Sequence, residues 1–424
     1  MLGKFVDRLS ELRILEKEYE KPGSSLIIIF GRRRVGKTTL IRRFMSDKDG
    51  FYYLGADEND NMQIQDFKST LARYLKDDYL NTARFEDWNN LFRYLTRIWD
   101  ANKKIVFAID EVTYIIKNSD NFLSNLQRFW DEYLSNTNTK VILSGSLVGL
   151  MLKEVLSYGS PLYGRRTRDI HLQPFRFTDA QDFFRDIDFE TRIKYYAVLG
   201  GGPRYLEMVD KDFDVFLKEN FFDPNGYFYR EGLYLLLEEF KGIATYSNII
   251  RAIADGSHTM GEIGSYVEMD SRRLSSYITI LESLNLIKRE KPVGLDIKRG
   301  TRYYIGDNLL EFWFKFVHPN RSSIEIREDM YKRLKDDINS FIGRKFEDIC
   351  REYLIMKHRD IKSIGRWWKK VDKNKVIEID ILADCGNYNI AAECKWQSNV
   401  DGVKILEDLK ESAEHLQSDR KKFY

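Results

Sequence analysis

Residues 31–38 read Gly-Arg-Arg-Arg-Val-Gly-Lys-Thr, and residue types at this spacing suit a polyanion. Gly31 and Gly36 let the backbone curl, so that the N–H groups of Arg32, Arg33, Arg34 and Val35 point inward at phosphate oxygens. Lys37 would reach the β and γ phosphates of ATP, and Thr38 would offer its hydroxyl to Mg2+. A helix beginning with Thr39 would add its positive N-terminal dipole to the same anion. A second group sits at Asp110 and Glu111, which end the apolar run 105–109. Asp110 would hold Mg2+, and Glu111, one residue further on, would polarise the attacking water, which favours hydrolysis over storage of the nucleotide.

Two further segments bear on the same chemistry. Ser144 or Ser146, in Ser-Gly-Ser after the apolar run 141–143, would sense the γ phosphate; the alternative is an ordinary strand-to-helix turn with a serine N-cap. Arg165, Arg166 and Arg168 form a basic turn that either neutralises transition-state charge, in cis or across subunits, or is simply a solvated loop.

Carboxylates also gather near the C-terminus. Glu378 and Asp380 alternate with isoleucines and share one strand face, Glu393 and Lys395 share a face of the following strand, and Glu347 lies among core-facing positions of an earlier helix. Acids crowded on adjacent strands repel one another unless a cation lies between them. Mg2+ held by Glu347, Asp380 and Glu393 is therefore one expectation, with Lys395 stabilising charge on a phosphodiester; solvent-facing acids of a hairpin are the other.

These residues need elements to position them. The run 26–30 is continuous and apolar, as in a buried parallel strand, and stops at Gly31; the acid pair is expected on a neighbouring strand. Residues 179–230 carry aromatic and apolar positions at helical spacing. Beyond them three helices, near 243–253, 259–263 and 271–284, precede a ribbon over 286–290 and 301–305, the order of a winged helix-turn-helix. In a DNA reading Arg272 and Arg273 would approach a groove, and Lys288, Arg289, Lys291, Lys298, Arg299 and Arg302 would touch phosphates. Residues 270–304 hold eight basic and four acidic side chains, a local net charge of +4. The alternative is a winged helix used only for protein contacts.

Taken together, Phe5-Val6-Asp7-Arg8, the 31–38 loop, Ile109-Asp110-Glu111, Leu143-Ser144-Gly145-Ser146, Leu162-Tyr163-Gly164-Arg165-Arg166 and Gly200-Gly201-Gly202-Pro203-Arg204 resemble the archaeal ATPase family of AAA-like and signal-transducing P-loop ATPases. The resemblance implies that residues 5–8, Arg8 included, line the adenine pocket, and that the turn at Pro203 joins a helical lid to the nucleotide. Val112-Thr113-Tyr114 departs from the family's usual aromatic or amide residues after the acid pair. Asp380, Glu393 and Lys395 resemble the PD-(D/E)XK pattern of restriction-endonuclease-like folds, with Ile379 where proline is usual, and such a domain is usually attached to archaeal ATPases.

The fold class that follows is α/β and multidomain. It comprises a parallel-sheet P-loop ATPase core over 1–178, a helical lid over 179–230, a winged helix over 231–306, a helical connector over 307–340, and a PD-(D/E)XK-like end over 341–424, where one more apolar strand is expected than the chain supplies. The leading function is an ATP-hydrolysing switch or motor acting on DNA, with Mg2+-dependent cleavage at the C-terminal site. The alternative is a signalling ATPase whose winged helix and terminal domain bind proteins. Self-association into a homo-oligomer is compatible with both.

Composition narrows the field without choosing a partner. Among 424 residues, 68 Lys and Arg stand against 66 Asp and Glu, so any basic surface must be local. Cys350, Cys385 and Cys394 match no zinc spacing, and the five histidines are scattered, so neither a zinc site nor a histidine-dependent triad is indicated. The apolar runs are strand-length and no signal-peptide core is present, so a soluble cytoplasmic protein is expected, with no membrane partner.

Overall fold

The computed structural model describes residues 6–240, 242–294, 300–326, 328–371, 376–416 and 421–424. The chain divides into two compact units, Met1–Pro174 and Phe175–Tyr424. The division precedes the expected limit at 178. Phe175 N–H donates to the Gly201 carbonyl and Phe177 N–H to the Glu352 carboxylate, each at 2.8 Å, which binds this stretch to the second unit.

In the first unit β1 (Ser25–Phe30), β2 (Gly50–Leu54), β3 (Val106–Asp110), β4 (Lys140–Gly145) and β5 (Arg168–His171) form a parallel sheet in the order β2-β3-β4-β1-β5. Every residue of β1, β3 and β4 is buried, which explains why these strands read as unbroken apolar runs, whereas the edge strands β2 and β5 alternate. The acid-bearing strand β3 does not neighbour β1 as expected. β4 lies between them, pairing Ile29 with Ser144 on one side and Leu143 with Ile109 on the other. A continuous apolar strand has no outward polar face to mark its neighbour, so sequence alone does not give this order.

The helix Lys37–Met45 lays Leu40, Ile41 and Phe44 on a core that includes Ile27, Ile29, Ala108 and Ile142. Each such buried side chain contributes roughly 1.5–3 kcal/mol. Strand alternation then places Asp110, two residues after Ala108, and Ser144, two after Ile142, on the face that carries this helix.

The second unit opens with the helices Phe189–Leu199, Pro203–Leu206 and Phe213–Asn220, packed through aromatic rings such as Tyr195 against Phe213 and Phe216. Ile243–Ala254, Met260–Tyr266 and Ser271–Ser283 follow; Thr259 and Glu262 form a capping box on the second and Asp270 caps the third. Leu274, Ile278, Leu281 and Leu284 face inward and Tyr277 is half-buried. Next, β6 (Ile287–Glu290) pairs antiparallel with β7 (Arg302–Ile305); Lys298 and Arg299 lie outside the described residues.

The helix Met330–Lys357 runs through the expected boundary at 340/341 without a break. Its sequence has no proline, and its single glycine, Gly343, lies where Trp396 packs close by: an added Cβ would meet the Trp396 Cβ at 3.3 Å. After it β8 (Ser363–Lys370), β9 (Val376–Asp384), β10 (Tyr388–Ala392) and β11 (Lys421–Phe423) form a sheet in the order β11-β10-β9-β8. The helix Gly402–Glu414 precedes β11, which runs parallel to β10. At three residues, two of them lysines, β11 carries little apolar signal.

Burial pushes the Glu352 carboxyl up to about 7, partly offset by the Phe177 N–H it accepts. An unfolded glutamate titrates near 4.3, so between roughly pH 4.5 and 7 the native state holds the extra proton and stability falls as pH rises. Glu352→Gln keeps an acceptor oxygen and removes the titration. The variant's melting temperature, followed from pH 5 to 8, should therefore drop a few degrees less than that of the unaltered protein, and parallel profiles would refute the assignment.

Candidate nucleotide-hydrolysis site

The loop between β1 and the helix Lys37–Met45 can only be built with glycine at two positions. A Cβ on Gly31 would lie 2.3 Å from the Leu172 carbonyl oxygen, and Gly36 caps the helix at φ 94°, in the left-handed region. Lys37, 4% exposed, folds its ammonium back over the loop and donates to the carbonyls of Gly31 at 2.7 Å and Arg32 at 3.1 Å. A cation is thereby fixed above the curl. Arg8 clamps the loop from outside: its guanidinium donates to the Val35 carbonyl at 3.0 Å and the Gln173 carbonyl at 2.6 Å. Phe5 lies outside the described residues.

Asp110 is fully buried at the end of β3. Its Oδ2 accepts from the Thr38 hydroxyl at 2.6 Å and the Tyr52 hydroxyl at 2.8 Å, and its Oδ1 from the Glu111 N–H at 3.0 Å. Burial and the Asp110 charge together raise the Tyr52 phenol well above its ordinary value, so it stays a donor. Thr38 and Asp110 are hard oxygen donors already in contact, and this pair fits a small divalent cation such as Mg2+. The Ser144 hydroxyl, buried on the same sheet face, has no hydrogen-bond partner among the described residues, so this site retains an unused polar group.

Glu111 adopts a left-handed conformation, φ 52°, which costs a non-glycine residue on the order of 1 kcal/mol. Its Oε2 accepts both the N–H (3.1 Å) and the hydroxyl (2.6 Å) of Ser146. The two serines thus differ: Ser146 holds the carboxylate, while the Ser144 hydroxyl has no partner among the described residues. Arg165 binds Asp131 through two nitrogens at 2.6 and 2.7 Å, Arg166 donates to the Leu156 carbonyl, and Arg168 pairs with Glu18 at 2.9 Å. All three arginines of the basic turn therefore brace the first unit. Tyr52 was not legible in the sequence, because nothing separates it from its neighbours Phe51 and Tyr53.

In the second unit Pro203 takes the first turn of Pro203–Leu206. The C-terminal acids converge only in part. Glu347 accepts from Arg366 Nε at 3.0 Å and a terminal nitrogen at 2.7 Å, Glu393 pairs with Lys395 at 2.6 Å, and Asp380 accepts the Cys394 N–H at 2.9 Å. That last bond takes over where the ladder stops, so β10 ends at Ala392 and Glu393 and Lys395 lie beyond it rather than within the strand. Burial, aided by the Asp380 charge, lifts Glu347 to about 7 against the pull of Arg366, and burial likewise raises Glu393. Among the described residues no three His, Cys, Asp or Glu side chains are arranged to hold a metal ion, and each acid has a protein partner. The Asp380 charge nevertheless acts on both Glu347 and Glu393.

Three cations of the β6–β7 ribbon are also engaged. Lys288 contacts Asp348 and Glu290, each at 3.3 Å, Arg289 contacts Glu282 at 2.8 Å, and Arg302 contacts Glu378 at 3.0 Å while stacking over Trp368. Asp348 is held far below the carboxylate range against the cost of burial, chiefly by Lys288. Arg272 and Arg273 are exposed.

A family described as an ATPase domain predominantly from Archaea matches residues 5–209, and a family of archaeal and bacterial proteins of unknown function matches 313–407. An uncharacterised protein of Methanocaldococcus jannaschii is 34% identical over 416 residues, 96% of this chain and 91% of the relative. The chain belongs to the archaeal ATPase family. An uncharacterised ATP-binding protein of the same organism shares 50% identity over 44 residues, 10% of this chain and 75% of that protein. The Walker-type ATPase of Pyrococcus abyssi has a similar fold, with TM-score 0.53 and 23% identity over 73% of this chain and 96% of that one. This archaeal ATPase is accordingly an enzyme that binds ATP and hydrolyses it. Among the described residues, no helix is long and apolar enough to cross a membrane.

Proposed function

We propose that this archaeal ATPase uses ATP binding and hydrolysis to switch its grip on DNA. The loop 31–38 would cradle the triphosphate, Lys37 meeting the β and γ phosphates and Thr39 lying where the helix dipole adds to the charge. Thr38 and Asp110 would hold Mg2+, which when bound neutralises charge developing on the transferred phosphoryl group. Glu111, released from Ser146, would orient the attacking water and take its proton, and the Ser144 hydroxyl would donate to the γ phosphate.

The observation that carries the DNA part is the exposed pair Arg272 and Arg273 at the start of Ser271–Ser283, third helix of the three-helix-and-ribbon segment read as a winged helix. The grip would come from that helix rather than from Lys288, Arg289 and Arg302, which hold other residues of the second unit. Duplex DNA is expected to raise ATP turnover severalfold, and Arg272→Ala with Arg273→Ala should remove the stimulation while leaving basal turnover intact. Turnover indifferent to both duplex and single strands would refute it.

The engaged wing favours a second reading, a signalling ATPase whose terminal modules contact protein. ATP-dependent self-association without any response to DNA would select that alternative. Phosphodiester cleavage forms no part of the proposal.

A further inference from the structure

A cavity of about 740 Å³ opens in the second unit beside Lys395. Its walls come from three places in the chain: Phe189 and Ile193 of the helix Phe189–Leu199, Asn339 and Phe346 of Met330–Lys357, and residues 395–399 that follow β10. The volume suits a nucleotide-sized ligand. We propose that this cavity takes a nucleobase, carried on a single strand or on a free nucleotide, with the adjoining phosphate at Lys395. The idea deepens the DNA reading but does not depend on Arg272 and Arg273.

The lining has what a base requires. Trp396 lies against Phe346, with ring centroids 5.4 Å apart, and its indole N–H is tied to Asn339 Oδ1 at 3.0 Å, so the ring is held in one orientation before any ligand arrives. Phe189 is 62% exposed, and its ring meets Phe177 edge-on. Leaving a phenyl ring in water is unfavourable unless something covers it, and a planar base between aromatic faces would do so. The exposed side chains of Gln397 and Asn399 supply donors and acceptors suited to a base edge. Lys395 and Glu190 are the charged residues of the lining, so the cavity has no net charge of its own, which fits an uncharged heterocycle better than a basic or acidic peptide. The Lys395 ammonium, in contact with Glu393, offers its remaining donors to one phosphate.

The test measures binding of a labelled oligo(dT) 20-mer and of duplex DNA by fluorescence anisotropy, without ATP, for the full chain and for Phe189→Ala and Trp396→Ala. Stacking on one aromatic ring typically accounts for about tenfold or more in affinity. Each variant should bind the single strand at least tenfold more weakly, with duplex affinity and ATP turnover unchanged. Phe189→Ala is the safer variant, since its ring is already outside the core. Competition by thymidine monophosphate at comparable concentration would identify a free nucleotide as the ligand, and absence of competition would identify the strand. Undiminished single-strand binding in Phe189→Ala and Trp396→Ala, binding of neither the oligomer nor thymidine monophosphate by the unaltered protein, or displacement by peptides and not by nucleotides would each overturn the proposal. Arg272→Ala with Arg273→Ala tests the DNA reading separately: it should weaken duplex binding and leave the Phe189-dependent part of single-strand binding intact.

Discussion

Lys37→Ala is expected to weaken ATP binding by about 100-fold or more and to bring turnover below detection. A hydrogen bond to a charged group contributes roughly 1.5–3 kcal/mol, and Lys37 would make such bonds to two phosphates. Its ammonium is already immobilised by the carbonyls of Gly31 and Arg32, so little ordering remains to be done when the nucleotide arrives. The loop itself should survive the change. Its curl rests on Gly31 packed against Leu172, on Gly36 and on the Arg8 bond to Val35, none of which requires Lys37. Calorimetry with Mg-ATP checks the affinity, and an unchanged melting temperature without nucleotide excludes unfolding as the cause. Ordinary affinity in the variant would mean that the triphosphate does not lie in this loop.

The phosphate loop was legible because its requirements are local: a strand end, two glycines at fixed spacing and the start of a helix lie within fifteen consecutive residues. The acid pair was legible as a strand end but not as topology. Asp110 and Glu111 stand out at the end of an apolar run, yet the insertion of β4 between β1 and β3 depends on pairing between strands more than a hundred residues apart, which leaves no trace in either run. Side chains that work through another residue were hidden for the same reason. Tyr52 matters only because its hydroxyl reaches Asp110, and a tyrosine in an edge strand looks alike with or without that partner. At the C-terminus, residue types gave the acids but not the cations that pair with them: Arg366 for Glu347 and Lys395 for Glu393. Counting acids overlooks a cation from another strand. Nor did the sequence show that Lys288 and Arg302 pair with Asp348 and Glu378.

Glu111→Gln separates binding from chemistry at the first of these sites. The amide keeps the length of the side chain and can still accept from Ser146, so the left-handed backbone at residue 111 and the hydrogen bonds around Asp110 should persist. What it cannot do is take a proton from water, a contribution typically of about 10²–10⁴ in rate. ATP affinity should therefore stay within a few-fold while steady-state turnover falls by that order, leaving a stable ATP complex. Ser146→Ala supplies the contrast: the carboxylate loses the hydroxyl donor but keeps the residue 146 N–H and its basicity, so hydrolysis should be kept or raised rather than lost. Single-turnover measurement of γ-phosphate release, alongside nucleotide affinity, reads both quantities in one preparation. Equal loss of binding and hydrolysis in Glu111→Gln would place this carboxylate among the groups that hold the nucleotide, and the base would then have to be sought elsewhere on the sheet edge.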